Sequence, residues 1–324
     1  MQLMSDMYVQ SMASLTRGGC DNLPEEWFMH LIPANQTVFS FRPDAEPVLR
    51  VRPGEIIRFE TSAEPVERLF AAGADWTEVI DVRAINAVTG PVFIEGVMPG
   101  DAVSVEVLAI EPRDWGWNAA IQGFGLLDGL LPEPMLERLP IQDGEVIVSD
   151  RVRLPLRPMI GCLGLAPAQG ATSSLSPAMP WAGNYDLTQI APGATVLFPA
   201  QVPGGLFSLG DLHAAMGEHE ATFIAIECAG SATVRLDVRA GMALETPRIE
   251  TADRIFVIGL SSCGDYSAAR LQAARLLYEL LTREAELTPR EAYVVISARG
   301  DLTLGGPAGT IVLGSVPRAI VDRG

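Results

Sequence analysis

The residues best equipped for chemistry are crowded into Asp211-Leu212-His213-Ala214-Ala215-Met216-Gly217-Glu218-His219-Glu220, which holds two of the chain's three histidines and three carboxylates. Mixed imidazole and carboxylate donors suit a divalent ion such as a catalytic zinc. In an extended chain alternate residues share a face, which would pair Asp211 with His213 and Glu218 with Glu220. Gly217 lets the chain bend between the two pairs. A polar turn with solvated charges is the competing reading of the same residues. The second candidate is Gly183-Asn184-Tyr185-Asp186. There Asn184 can orient a carbonyl or an amide, and Asp186 can bind metal or fix a histidine; an Asx turn would use the same residues structurally. The third is Glu95, a strand-end carboxylate beside Gly96, in a position where carboxylates are commonly solvated.

Other signals fail. Cys20, Cys162, Cys228 and Cys263 form no CxxC pair, which excludes a thiolate zinc site and fits reduced thiols in a cytoplasm. Cys263 has no neighbouring histidine to act as its base. Gly123 and Gly125 stand in no strand–turn–helix context, so they make no dinucleotide fingerprint. Ser176 and Ser208 lack the GxSxG frame of a hydrolase elbow.

The elements that must position these residues are mostly strands. Gly and Pro punctuate short runs of Val, Ile, Leu and Phe. Strands are predicted over 48–51, 56–61, 91–96, 102–108, 195–199, 206–209 and 222–228, with others near 145–157. Asp211–Glu220 then falls in a loop between two strands. The stretch 160–194 reads as an ordered loop packed at a site. Helix is predicted only near the end. Asp265 caps one, with Leu271, Ala274, Leu277, Tyr278 and Leu281 toward one face. Thr288, Pro289 and Glu291 open a short second one through a capping box, and Tyr293–Ser297 turns strand-like. The chain divides into 1–110 (β-sandwich-like), 111–190 (irregular, with site loops), 191–250 (β, carrying the Asp211–Glu220 segment) and 251–324 (small α+β).

Charge narrows the partners. The 324 residues carry 23 Lys+Arg against 40 Asp+Glu, a net charge of −17. Nucleic acid and anionic membrane surfaces both require a cationic face. The excess of acid suits a neutral or cationic substrate. No signal peptide or run of apolar residues long enough to span a membrane is evident. Imidazole chemistry must use His30, His213 or His219.

Taken together, five stretches in order resemble the acetamidase/formamidase family of amide hydrolases. Thr89–Asp101 is similar to that family's TGPVxVEGAEPGD, and Gly161–Pro167 to GxxGxAP. Gly183–Asp186 is similar to GGNMD, Gly210–Glu220 to GDxHAAQGDGE, and Glu291–Leu302 to EAYxLxS…DL. Together they cover roughly 45–310. Met216 and His219 stand where the family has Gln and Gly, Ala182 replaces the first Gly of GGN, and Val38–Phe41 falls where an early His and Trp are common.

The resemblance implies a mainly β protein: a β-sandwich plus a β-barrel-like domain, with a C-terminal helix-containing α+β part. It implies metal-dependent hydrolysis of a small-molecule amide, neutral and linear, by a cytoplasmic homo-oligomer. The cofactor it points to is a divalent metal, zinc first. The ligands would be His213 and Asp186, with Asp211 as ligand or orienter and Glu218 as a further carboxylate. Glu95 or Glu220 would be the general base, and Asn184 would hold the substrate. The 160–185 loops would wall the pocket, lined by Trp181 and Tyr185. A homologue that has lost hydrolysis, or one acting on a lactam or larger amide, stays open at this point.

Overall fold

The computed structural model describes residues 29–261, 264–307 and 309–322. Cys20 and Cys263 lie outside them, whereas Cys162 and Cys228 are buried and free. The protein is mainly β, with 41% strand and 17% helix. Among the described residues, eighteen strands pair into one branched sheet whose pairings never return on themselves, so the expected β-barrel-like closure does not form there. Its backbone is the 19-residue strand Ala102–Ala120, which pairs along most of its length with Ile226–Arg239. The largest apolar core draws on residues from Ile32 to Leu313, including the fully buried Phe59, Phe198 and Phe207.

Four neighbouring strands carry the chemistry: Ala182–Asn184, Met159–Gly164, Phe207–Ala215 and Ile226–Arg239. Each is antiparallel to the next. Cys162 faces Asn184, Met159 faces His213, and His213 faces Glu227 across the adjoining pair. Two expectations are corrected here. Met159–Gly164 is a strand buried at every residue rather than a loop, because its small and apolar side chains fit between two strands. Asp211–Ala215 continues the strand that begins at Phe207, and the chain turns away only after Ala215.

Thr195–Pro199 forms as predicted. Tyr266–Arg283 is the first C-terminal helix, with the Asp265 carboxylate accepting from the Ser267 and Ala268 backbone. Its buried face is Ala269, Ala273, Leu277, Leu280 and Leu281, which leaves Leu271 out in solvent. The capping box at Thr288 is present, but its helix runs from Pro289 to Arg299. The strand reading of Tyr293–Ser297 fails because those β-prone side chains lie inside a helix, with Tyr293 and Val294 exposed. The unpredicted helix Glu64–Ala72 begins with Pro65 in its first turn and acids at Glu64 and Glu67, signals that suit a helix start. Among the described residues, no helix is long and apolar enough to cross a membrane.

Candidate metal-binding active site

Register explains how the site assembles. Asp211 and His213 are two apart on one strand and share its face. Glu227 lies directly opposite His213 on the next strand, so its side chain joins the same face. On the other side the chain leaves Asn184 and turns at Asp186, where the Tyr185 and Asp186 amides both donate to the Gly161 carbonyl. Glu220 enters from the turn beyond Ala215.

The result is a buried cluster of Asp186, Asp211, His213, Glu220 and Glu227. Asp186, Asp211 and His213 offer ligand atoms within 4.8 Å of one another, and so do His213, Glu220 and Glu227. His213 Nε2 is 3.2 Å from Glu227 Oε2, 3.7 Å from Asp211 Oδ1 and 3.8 Å from Asp186 Oδ1. Asp186, Asp211 and Glu220 all adopt left-handed backbone, with φ of 46°, 58° and 44°. That conformation strains an L-residue, and such strain concentrates where function requires it.

The electrostatics arise from the crowding. Burial, and then the charge of Asp211, pushes the Asp186 carboxyl well above the usual carboxylate range. Glu220 is pushed up to about 10 by burial and then by Asp186. Burial raises Glu227 as well. Burial alone would lower His213, but the charge of Glu227 and the Asp211 hydrogen bond outweigh it and hold the imidazole well above its ordinary value. With no cation but one imidazole among four acids, the site keeps protons.

The donors fit a divalent ion. Asp186 Oδ1 is buried and has no hydrogen-bond partner among the described residues. Gly161 forms the floor: a Cβ there would come within 2.6 Å of Asp186 Oδ1, 2.7 Å of Asp211 Oδ2 and 2.9 Å of His213 Nε2. Carboxylate oxygens with one imidazole nitrogen suit a divalent ion of intermediate hardness.

The structure brings together His213, Asp186, Asp211 and Glu220. Asn184 stands behind them and donates to Asp186 Oδ2 at 2.6 Å. Glu95 is exposed on a turn after its strand and takes no part in the cluster. Glu218 is also exposed, accepting from Thr188 and Gln189, because the turn at 216–219 separates it from the face of Glu220. His219 turns away and donates to the Gly305 carbonyl at 2.6 Å, while His30 pairs with Glu55. Met216 places its sulfur 3.3 Å from His213 Nδ1. Glu227, Asn86 and Gly161 are additions to the sequence reading. A lone acid inside the apolar run Ile224–Ala229 was the available signal for Glu227.

A cleft reaches the Asp211 and Glu227 edge of the cluster, lined also by Asn86, Val66, Trp117 and Cys228. Tyr185 is not part of its wall: the ring is fully buried and its hydroxyl donates to the Met179 carbonyl. Trp181 likewise lies elsewhere, its Nε1 on Thr172. Burial pushes the Cys228 thiol up to about 12, so it offers no thiolate to the cleft.

The family model described as the Acetamidase/Formamidase family matches residues 33–176 and 168–268. The chain belongs to this family. A predicted acetamidase/formamidase of Thermoanaerobacter tengcongensis has the same fold, with a TM-score of 0.85 and 29% identity over 91% of this chain and 97% of that one. The acetamidase of Bacillus halodurans superposes with a TM-score of 0.82 at 29% identity, covering 90% and 99%. The formamidase of Methylophilus methylotrophus is 24% identical over 271 residues. That match takes in 62% of this chain and 63% of the formamidase, so the chain spans under two thirds of that acetamidase/formamidase relative.

Proposed function

We propose that the chain hydrolyses a small, neutral, linear amide to a carboxylate and ammonia, with a divalent ion, zinc first, held by Asp186, Asp211 and His213. The observation that carries this is the orphaned Asp186 Oδ1, buried opposite His213 over the Gly161 floor. Membership of the acetamidase/formamidase family and the name of the Methylophilus formamidase support the amide bond as target. The converging cluster weighs against a homologue that has lost hydrolysis.

An amide is resonance-stabilised and its amine leaves poorly. Hydrolysis needs an activated water, a polarised carbonyl and a proton for nitrogen. A bound divalent ion supplies the first two by lowering the pKa of water and acting as a Lewis acid. The chain's own residues manage the protons. Glu227 lines the cleft beside His213 and is placed to take the proton released as water's oxygen bonds to the carbonyl carbon. Glu220, held protonated by burial and beside His213 and Glu227, would be the proton source for nitrogen as the C–N bond breaks. The cleft lining contains no arginine and the chain has no lysine, so a substrate carboxylate would meet only Asp211 and Glu227. That favours uncharged substrates.

The test is ammonia release from formamide, acetamide and propionamide by protein stripped of metal and reloaded with zinc, manganese or cobalt. Turnover that depends on the added ion is expected. Metal-loaded protein that releases no ammonia from any short amide would overturn the proposal.

A further inference from the structure

Among the described residues, no protein group uses the side-chain acceptor of Asn86. Its Nδ2 donates to the Ser174 carbonyl at 3.2 Å and to Asn184 Oδ1 at 3.0 Å, and lies 3.4 Å from Asp211 Oδ2. A backbone carbonyl and a carboxylate only accept, so the nitrogen of Asn86 must face inward. The same logic passes to Asn184. Its oxygen is committed to Asn86 and its nitrogen donates to Asp186. Asn184, which the sequence put forward to hold substrate, therefore has both ends of its amide already engaged by protein partners.

Asn86 differs. It lines the cleft beside Asp211 and Glu227, and its Oδ1 has no hydrogen-bond partner among the described residues. The residue is only 9% exposed, and its two Nδ2 hydrogen bonds to the Ser174 carbonyl and Asn184 Oδ1 fix the amide plane before any ligand arrives. The cleft lining sets the Asn86 amide oxygen and two carboxylates beside the hydroxyls of Thr61 and Ser62, groups that can all accept and so reward a ligand bearing N–H groups.

We propose that Asn86 Oδ1 accepts a hydrogen bond from the NH2 group of a primary amide, turning the substrate carbonyl toward Asp186, Asp211 and His213. The inference rests on the amide-hydrolase reading and goes beyond it. What it adds is a specificity residue, one that separates the N–H-bearing primary amide from esters and N,N-disubstituted amides that offer no N–H.

The test compares Asn86→Ala and Asn86→Ser with the wild-type protein on propionamide and methyl propionate, the ester scored as substrate or as competitive inhibitor. Zinc affinity is measured by calorimetry on the same preparations. Loss of one neutral hydrogen bond predicts about a tenfold fall in kcat/KM for propionamide. Both variants also lose the Nδ2 contacts to Asn184 and Asp211, so the assays are run at saturating zinc, and the amide value should fall about tenfold further than the ester value. An equal loss for amide and ester at saturating zinc would overturn the proposal and make Asn86 a positioning residue acting through Asn184 and Asp186. Wild-type protein that cleaves N,N-dimethylpropionamide as fast as propionamide would sink this inference alone. Metal-loaded wild-type protein that releases nothing from propionamide would sink the parent reading and this one with it.

Discussion

Glu227 and His213 face one another across two antiparallel strands and meet at 3.2 Å, closer than His213 comes to either aspartate of the cluster. The contact gives the imidazole its largest favourable charge partner. It also places at the cleft edge an acid that had not stood out among the 40 in the chain.

Glu227→Gln keeps the shape and removes that charge. The His213 pKa should fall toward its ordinary value, read by NMR of the imidazole protons in metal-free protein. If Glu227 takes the water proton, kcat for ammonia release should drop by about 100- to 10,000-fold. An unchanged kcat would remove Glu227 from the proton path.

The gap between sequence and structure at this site has a physical cause. Asp211 and His213 were legible because two-residue spacing on a strand fixes a shared face without any tertiary knowledge. Glu227 is on the next strand, and only the register His213↔Glu227 brings it in. Asn86 lies 125 residues from Asp211, and nothing local marks it. Glu95 failed for the opposite reason: its motif is local, but the turn that carries it faces solvent. At the level of fold, capping chemistry read correctly at Asp265 and Thr288 because it is local. The helical Tyr293–Ser297 did not, since β-branched propensity yields to a helix already nucleated by its capping box.

His213→Ala removes the sole imidazole of the cluster. Asp186, Glu220 and Glu227 lose the charge that draws their carboxyls down, and they should retain protons more firmly. Affinity for a divalent ion is expected to fall by at least about 100-fold, with amide hydrolysis lost alongside it. Far-UV circular dichroism should stay that of the parent. Wild-type metal affinity in this variant would mean that the ion rests on other residues.

The raised carboxyl pKa values carry a sign for stability. Glu220 stands at about 10, and Asp186 and Glu227 are raised as well, burial being the first cause in each. A folded state that binds a proton more tightly than the unfolded chain is stabilised below the unfolded carboxylate pKa, about 4.3, and loses that stability as pH climbs through the folded value. His213 acts in the same direction, because its folded pKa is also raised. Metal-free protein should therefore melt at progressively lower temperature between about pH 5 and about pH 10. Metal binding needs deprotonated donors, so the gain in melting temperature on adding zinc should widen over the same range. A metal-free melting temperature that holds level or rises over this range would contradict the account of buried protons.

Gly161 offers the sharpest separation of site from fold. The atoms nearest to an added Cβ are all from the proposed ligands: Asp186 Oδ1 at 2.6 Å, Asp211 Oδ2 at 2.7 Å and His213 Nε2 at 2.9 Å. A methyl group in that place occupies the floor where the donors converge, and the three side chains must move apart to admit it. Gly161→Ala should weaken divalent-ion binding by at least about 100-fold while the metal-free melting temperature shifts by only a few degrees. Gly217→Ala makes the matched control, since nothing lies within 4 Å of its added Cβ. Calorimetric titration of both variants with zinc decides the matter. If Gly161→Ala binds the ion as tightly as Gly217→Ala, the ion does not sit among these three residues, and the assignment of Asp186, Asp211 and His213 as its ligands falls.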